Sequence, residues 1–386
     1  GMPTSTTVSL VFELLGGAFI LATLKMYGDD SLNYGVLLNS NKALEVIMGI
    51  FSSVIIAFVF GAFVMWLSRI IFTFNYRKHS RYSIAIFGGI AFTALSYFIF
   101  MKGLGKSPYL PAEWRDYIDQ HLGLLLCITF VGSAIVMEFL HLCRINIFKF
   151  TVLMGTFALA MAFAGNDLVN FIGVPLAGLS SYQDYMANAN GAAPDQFMMT
   201  SLMDSAKTTP VYLLAAGAVM IIAMATSKKA QNVIKTSVDL SRQDEGDEMF
   251  GSSSAARVIV RNCQATDSWL KQFMPKALMN WINSRFDKND VELEESAAFD
   301  VVRAAVNLVL ASMLITIGTN LKLPLSTTYV TFMVAMGSSL ADRAWSRESA
   351  VFRVTGVLSV IGGWFITAGV AFAACAIVCL IMHFGG

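Results

Sequence analysis

The stretches PTSTTVSLVFELLGG, residues 3–17, and PLSTTYVTFMVAMGS, residues 324–338, carry the same word twice. Pro324 lies 321 positions after Pro3, and that offset takes Ser5, Thr6 and Thr7 onto Ser326, Thr327 and Thr328 and Gly16 onto Gly337. A proline followed by hydroxyl residues and then an apolar run is a helix start. Ser and Thr side chains satisfy free N–H groups there, and Pro is tolerated before the first turn. A helix start also carries about half a positive charge and unpaired N–H donors, so it receives oxyanions without Lys or Arg. Two such starts converging from opposite sides would place six hydroxyls around one anion.

The apolar runs place these helices in a membrane. Hydrophobic residues make up 56% of the chain and charged residues 14%, against about 25% charged in soluble domains. About 20 apolar helical residues span a bilayer core. Residues 46–68, 82–101 and 354–382 contain no charge. Weaker runs at 8–26, 122–140, 150–179, 211–227, 304–320 and 323–340 bring the expected number of membrane segments to nine. The expected fold class is therefore an all-α integral membrane protein, a polytopic helical bundle. The five cysteines show no metal-finger spacing and read as small apolar fillers, and the four histidines fall near segment ends. A net charge of +1 argues against a nucleic-acid partner.

Basic loops mark the cytoplasmic side of membrane helices. Arg77-Lys78-His79-Ser80-Arg81, the pair Arg144 and Lys149, the group Lys228, Lys229 and Lys235, and the group Arg343, Arg347 and Arg353 alternate with neutral or acidic loops. In that orientation the chain runs outward after Thr7 and inward after Thr328. The two words then sit on oppositely directed helices, the pattern of an inverted-topology repeat, with broken or re-entrant helices expected at the site they share.

A second signal is FAGNDLVNFIGVPLAG, residues 163–178. Asp167 lies in an apolar run, where a carboxylate costs about 2.5–3.5 kcal/mol. Gly165, Gly173 and Pro175 predict unwound backbone around a cavity. Freed carbonyls with the oxygens of Asn166 and Asp167 would suit Na+; the alternative is a helix ending at the outer surface with Asn-Asp as turn residues.

Gly165-Asn166-Asp167-Leu168-Val169-Asn170 resembles the GANDVAN signature of the inorganic phosphate transporter (PiT) family, and the two Pro-x-Ser-Thr-Thr words resemble that family's paired motif. The wording is nearest to bacterial members with a long middle loop. The resemblance implies cation-coupled uptake of inorganic phosphate by two inverted halves. It places substrate at Ser5, Thr6, Thr7, Asp167, Asn170, Ser326, Thr327 and Thr328, and Na+ at Asn166 and Asp167. There are three departures. The family has a GANDVAN-like segment before each word, so a first copy is expected before Gly1 and the sequence reads as a fragment. Val8 and Tyr329 stand where the family usually has His, which favours Na+ over H+ as coupling ion. Ala164-Gly165 reverses the usual Gly-Ala order.

The expected organisation is 1–143 as the remainder of the first half, 144–226 as the start of the second, 227–300 as a cytoplasmic polar loop and 301–386 as the end of the second half. Within the loop, Trp269, Phe273, Trp281 and Phe286 interleave with Lys271, Lys276 and Arg285, which suggests amphipathic pieces interrupted at Pro275. Glu13 has Val334 as its mate under the offset and so lies outside the symmetric core. The leading function is a phosphate transporter of a bacterial inner membrane, with no cofactor beyond the coupling ion. Expected partners are inorganic phosphate, Na+ and lipid, with a homo-oligomer a further possibility. The alternatives are a sulfate transporter, an intramembrane enzyme with Asp167 or a Ser as catalyst, and a non-transporting sensor.

Overall fold

The computed structural model describes residues 2–29, 31–76, 81–103, 111–193, 196–200, 209–243, 250–287, 297–323, 325–345 and 349–385. Pro324, the basic stretch at residues 77–80, Arg347 and residues 244–249 and 288–296 of the polar loop lie outside the described residues. Fourteen α-helices follow one another among the described residues. First come α1 (Thr6–Tyr27), the short α2 (Tyr34–Leu37), α3 (Ser40–Phe72), α4 (Arg81–Ser96), which continues as a π-helical stretch to Gly103, α5 (Ala112–Gln120) and α6 (Leu122–Leu142). Then come α7 (Ile147–Asn188), α8 (Pro210–Thr226), α9 (Lys228–Ser241), α10 (Ser254–Gln272), α11 (Lys276–Arg285), α12 (Val301–Asn320), α13 (Thr327–Ala341) and α14 (Ser349–Gly385).

Seven of these helices are long and apolar enough to cross a membrane, and α8 with α9, bent by 66° at their junction, could supply an eighth. The expected nine segments are thus corrected at 323–340. There the helix begins only at Thr327 and has 15 residues, about 22 Å at 1.5 Å per residue, short of a ~30 Å hydrocarbon core. The expected unwinding at Gly165 is also corrected. α7 is one helix of 42 residues through Gly165, Asn166, Asp167 and Pro175. Apart from the one carbonyl that Pro175 leaves without a donor, its carbonyls stay in the helical ladder, so Asn166, Asp167 and Asn170 offer a site their side-chain oxygens. Proline is accommodated in membrane helices when neighbouring groups satisfy the freed carbonyl.

Two close helix pairs organise the bundle. A Cβ on Gly337 of α13 would collide with the carbonyl oxygen of Phe58 on α3, and one on Gly61 would come within 2.7 Å of the Val334 oxygen. Gly16 of α1, the counterpart of Gly337, abuts the backbone of Phe372 on α14 in the same way. Small residues let membrane helices approach this closely. The contacts also give direction. Rising numbers meet rising numbers in both pairs: Gly61 with Val334 and Arg69 with Asp342, Pro3 with Trp364 and Gly16 with Phe372. The end of α13 and the start of α14 lie beside one turn, where Ser339 Oγ reaches the Ser241 carbonyl (3.5 Å) and Arg353 Nη1 the Arg242 carbonyl (2.7 Å). α13 therefore runs toward that end of the bundle and α1 away from it.

That end is fastened by buried charge. Arg69 uses all five N–H donors: two on the Asp342 carboxylate (2.6 and 2.9 Å), two on Asp300 (2.8 and 3.1 Å) and one on the Thr73 carbonyl (2.7 Å). Asp300 in turn caps α12 by accepting from the Arg303 N–H (3.1 Å). One guanidinium thus ties the end of α3 to the start of α12 and the end of α13. Arg353, read from sequence as a loop charge, is buried in α14. α10 and α11 break apart at Pro275 as expected, with Trp269, Phe273 and Trp281 exposed but Phe286 buried. Arg285 of α11 caps the end of α3 on the Ile70 and Ile71 carbonyls (2.6 and 2.8 Å). All five cysteines are free.

Candidate functional site

Both repeated words form the helix starts their chemistry dictates. Ser5 is the N-cap of α1 and Ser326 of α13, each in extended backbone. Ser5 Oγ accepts from Val8 N and Ser326 Oγ from Tyr329 N, both at 3.1 Å. The first helical N–H groups, at Thr6 and Thr7 and at Thr327 and Thr328, have no intrahelical acceptor by helix geometry.

The two starts meet on Asp167, midway along α7. Thr6 Oγ1 donates to one carboxylate oxygen (3.3 Å), and its counterpart Thr327 Oγ1 donates to both (3.2 and 3.0 Å). Asn166 Nδ2 adds a contact at 3.3 Å. One turn on, Asn170 Nδ2 donates to Thr7 Oγ1 at 2.7 Å. Ser5, Thr7, Ser326 and Thr327 are buried, whereas Asp167 and Asn170 are half-buried and Thr6 is exposed. All eight residues singled out for an anion thus belong to one locality. Thr328 stands one residue from the carboxylate contacts and is engaged through its carbonyl, which accepts from Thr331 Oγ1 (3.0 Å).

The electrostatic logic is visible in what already sits there. A carboxylate occupies the space between two helix starts, where the aligned peptide dipoles favour negative charge. Two threonine hydroxyls and the Asn166 amide are aimed at this half-buried carboxylate. Among the described residues no three His, Cys, Asp or Glu side chains form a metal cluster. A hard monovalent cation would find side-chain oxygens of Asp167, Asn166 and Asn170 there, beside the hydroxyls of Thr6, Thr7 and Thr327. Glu13 is exposed on α1 and lies outside these contacts.

Sequence reasoning missed Trp364. Its indole N–H donates to the Pro3 carbonyl at 3.0 Å, and its ring stacks on Tyr329 with centroids 3.7 Å apart and planes 17° apart. Trp364 lies inside the uncharged run at 354–382, where nothing local separates it from a lipid-facing aromatic.

The fold and this site define a multi-pass, all-α membrane protein in which two capped helix starts face one carboxylate. A family model described as the phosphate transporter family matches residues 1–237, more than half of the chain. The chain belongs to that family, and it is a phosphate transporter. The match includes the first word and Asp167 and ends before the second word. No curated protein and no solved structure matches the chain.

Proposed function

We propose that the protein imports inorganic phosphate with Na+ across a bacterial plasma membrane, and that the anion binds between the two Ser-Thr-Thr words beside Asp167. The observation that carries this reading is the convergence of Thr6 and Thr327, from opposite ends of the sequence, on the Asp167 carboxylate. Phosphate arriving there would draw the threonine hydroxyls and the free N–H groups of both helix starts toward itself. Near neutral pH it keeps at least one proton, which Asp167 can accept as a hydrogen bond. The opposed directions of α1 and α13 support the inverted-repeat reading. Na+ is favoured over H+ because the ligands at hand are carboxylate and amide oxygens, with Val8 and Tyr329 where an imidazole would stand.

The test is uptake of labelled phosphate by proteoliposomes holding the protein, with the Na+ and pH gradients set independently. Saturable uptake that follows the Na+ gradient at constant pH is expected. Uptake that follows the pH gradient and ignores Na+ would overturn the coupling, and saturable uptake of sulfate in preference to phosphate would overturn the substrate.

A further inference from the structure

The two anion-facing helix starts belong to different helix pairs, α1 with α14 and α13 with α3. Asp167 joins them, but the proposed binding event trades those hydrogen bonds for bonds to phosphate. Something else must hold the two starts at a fixed separation while this happens.

Trp364 makes that second connection. It sits on α14 and is 5% exposed. A buried indole N–H needs an acceptor, and the one it has is the carbonyl of Pro3, two residues before the Ser5 cap. That carbonyl precedes the helix, so the helical ladder provides it no donor. The other face of the connection is the stack on Tyr329, which directly follows Thr328 in the second word. Tyr329 is itself buried, its hydroxyl has no hydrogen-bond partner among the described residues, and so its ring contributes packing alone. Phe332, one turn further along α13, meets the same indole edge-on at 6.3 Å. One side chain thus fixes the backbone ahead of one word by a hydrogen bond and the first turn of the other by its ring. Neither contact involves Asp167 or any group assigned to the anion.

We infer that Trp364 is a positioning residue for phosphate, holding the two Ser-Thr-Thr helix starts at the spacing the anion requires. The inference rests on the reading that phosphate binds between those words. Geometry set in advance by residues that do not touch the ligand governs how well several donors act together. The effect should therefore appear in apparent affinity and in discrimination between anions of different size.

Trp364→Phe keeps an aromatic surface for Tyr329 and removes the N–H bond to Pro3. Tyr329→Leu keeps that bond and removes the stack. Tyr329→Phe removes only the unpartnered hydroxyl. Each is reconstituted beside the unaltered protein, and phosphate KM, maximal uptake per folded protein and competition by arsenate are measured. Arsenate is tetrahedral like phosphate but slightly larger. Trp364→Phe is expected to raise the KM about ten-fold, the size of effect that stranding one buried carbonyl produces. It should also raise the relative competition by arsenate, with maximal uptake little changed. Tyr329→Leu should do the same and Tyr329→Phe should match the unaltered protein. A folded Trp364→Phe protein with unchanged KM and arsenate ratio overturns the inference. So does one whose only defect is a lower yield of folded protein. Should Trp364→Phe not fold, the same two outcomes in Tyr329→Leu decide. Absence of saturable phosphate uptake by the unaltered protein, or full uptake by Thr327→Val, would defeat the binding-site reading instead. The two failures are thereby told apart.

Discussion

Thr327 gives its one hydroxyl hydrogen to both oxygens of Asp167, at 3.2 and 3.0 Å. Thr6, its counterpart at the other end of the chain, reaches a single oxygen at 3.3 Å from an exposed position. The two words are alike in sequence but not in how firmly they grip the carboxylate.

Thr327→Val and Thr6→Val remove the hydroxyls while keeping the branched shape. The buried member should raise the phosphate KM about ten-fold and the exposed one only about two-fold, since a hydrogen bond contributes more away from water. Uptake kinetics in proteoliposomes measure both. Equal effects would contradict the asymmetry.

Asp167→Asn keeps the size of the side chain but removes its negative charge and turns one of its two acceptor oxygens into an NH2 donor. Sulfate, unlike phosphate, has no proton to donate and meets only repulsion from the native carboxylate. The substitution should weaken phosphate uptake by at least about ten-fold and relax exclusion of sulfate, because a site built for a hydrogen bond rejects the analogue lacking it. Sulfate competition at several Na+ concentrations checks this. An unchanged sulfate-to-phosphate ratio with a raised Na+ requirement would assign Asp167 to the cation instead.

Arg69→Ala should destabilise the protein by about 3–5 kcal/mol, because it removes the guanidinium that hydrogen-bonds two buried carboxylates, and Arg303, 3.7 Å from Asp342, makes up for only part of that. Arg69→Lys should recover only part of this, since an ammonium cannot hold two carboxylates bidentate. The exposed pair of Lys42 and Glu45, 2.9 Å apart, should by contrast cost no more than ~0.5 kcal/mol when broken. Thermal unfolding in detergent separates the three. A fully stable Arg69→Ala protein would show that the network contributes nothing to stability.

Gly337→Ala places a methyl group against the Phe58 carbonyl and should force α3 and α13 apart, with a loss of folded protein or a fall of several °C in its melting temperature. Gly178→Ala in α7, where nothing lies within 4 Å of the added carbon, should be neutral or stabilising by up to ~1 kcal/mol. Matched melting temperatures for the two variants would sink the close-packing argument.

The parts of this molecule legible from sequence are those written in local chemistry. Long uncharged runs announced the membrane helices, and the paired words announced helix starts because Ser and Thr after a proline and before an apolar run favour capping. The shortness of α13 was only half legible: the second word announced its start at Ser326, but counting the residues ahead of it made the run at 323–340 look long enough to span. Gly165 and Pro175 pointed to unwinding, yet α7 stays helical. A glycine still closes its own hydrogen bonds in a helix, and a single proline removes only one. Arg69 lies just beyond the uncharged run at 46–68, and nothing local marks it out. Its partners come 231 and 273 residues later, a distance at which no local pattern links them. Trp364 was hidden for the same reason, since its hydrogen bond spans 361 residues.

The Arg69 cluster also sets an order on the making of the protein. Arg69 leaves the ribosome long before Asp300 and Asp342. At ~5–20 residues per second it waits roughly 10 to 50 s for them. During that time its guanidinium must stay in water at the membrane surface, so the end of α3 cannot be drawn into the bundle. Docking of α12 and α13 on α3 then becomes a late step of biogenesis. A chain cut short before Asp300 would lack both carboxylates that pair this cation.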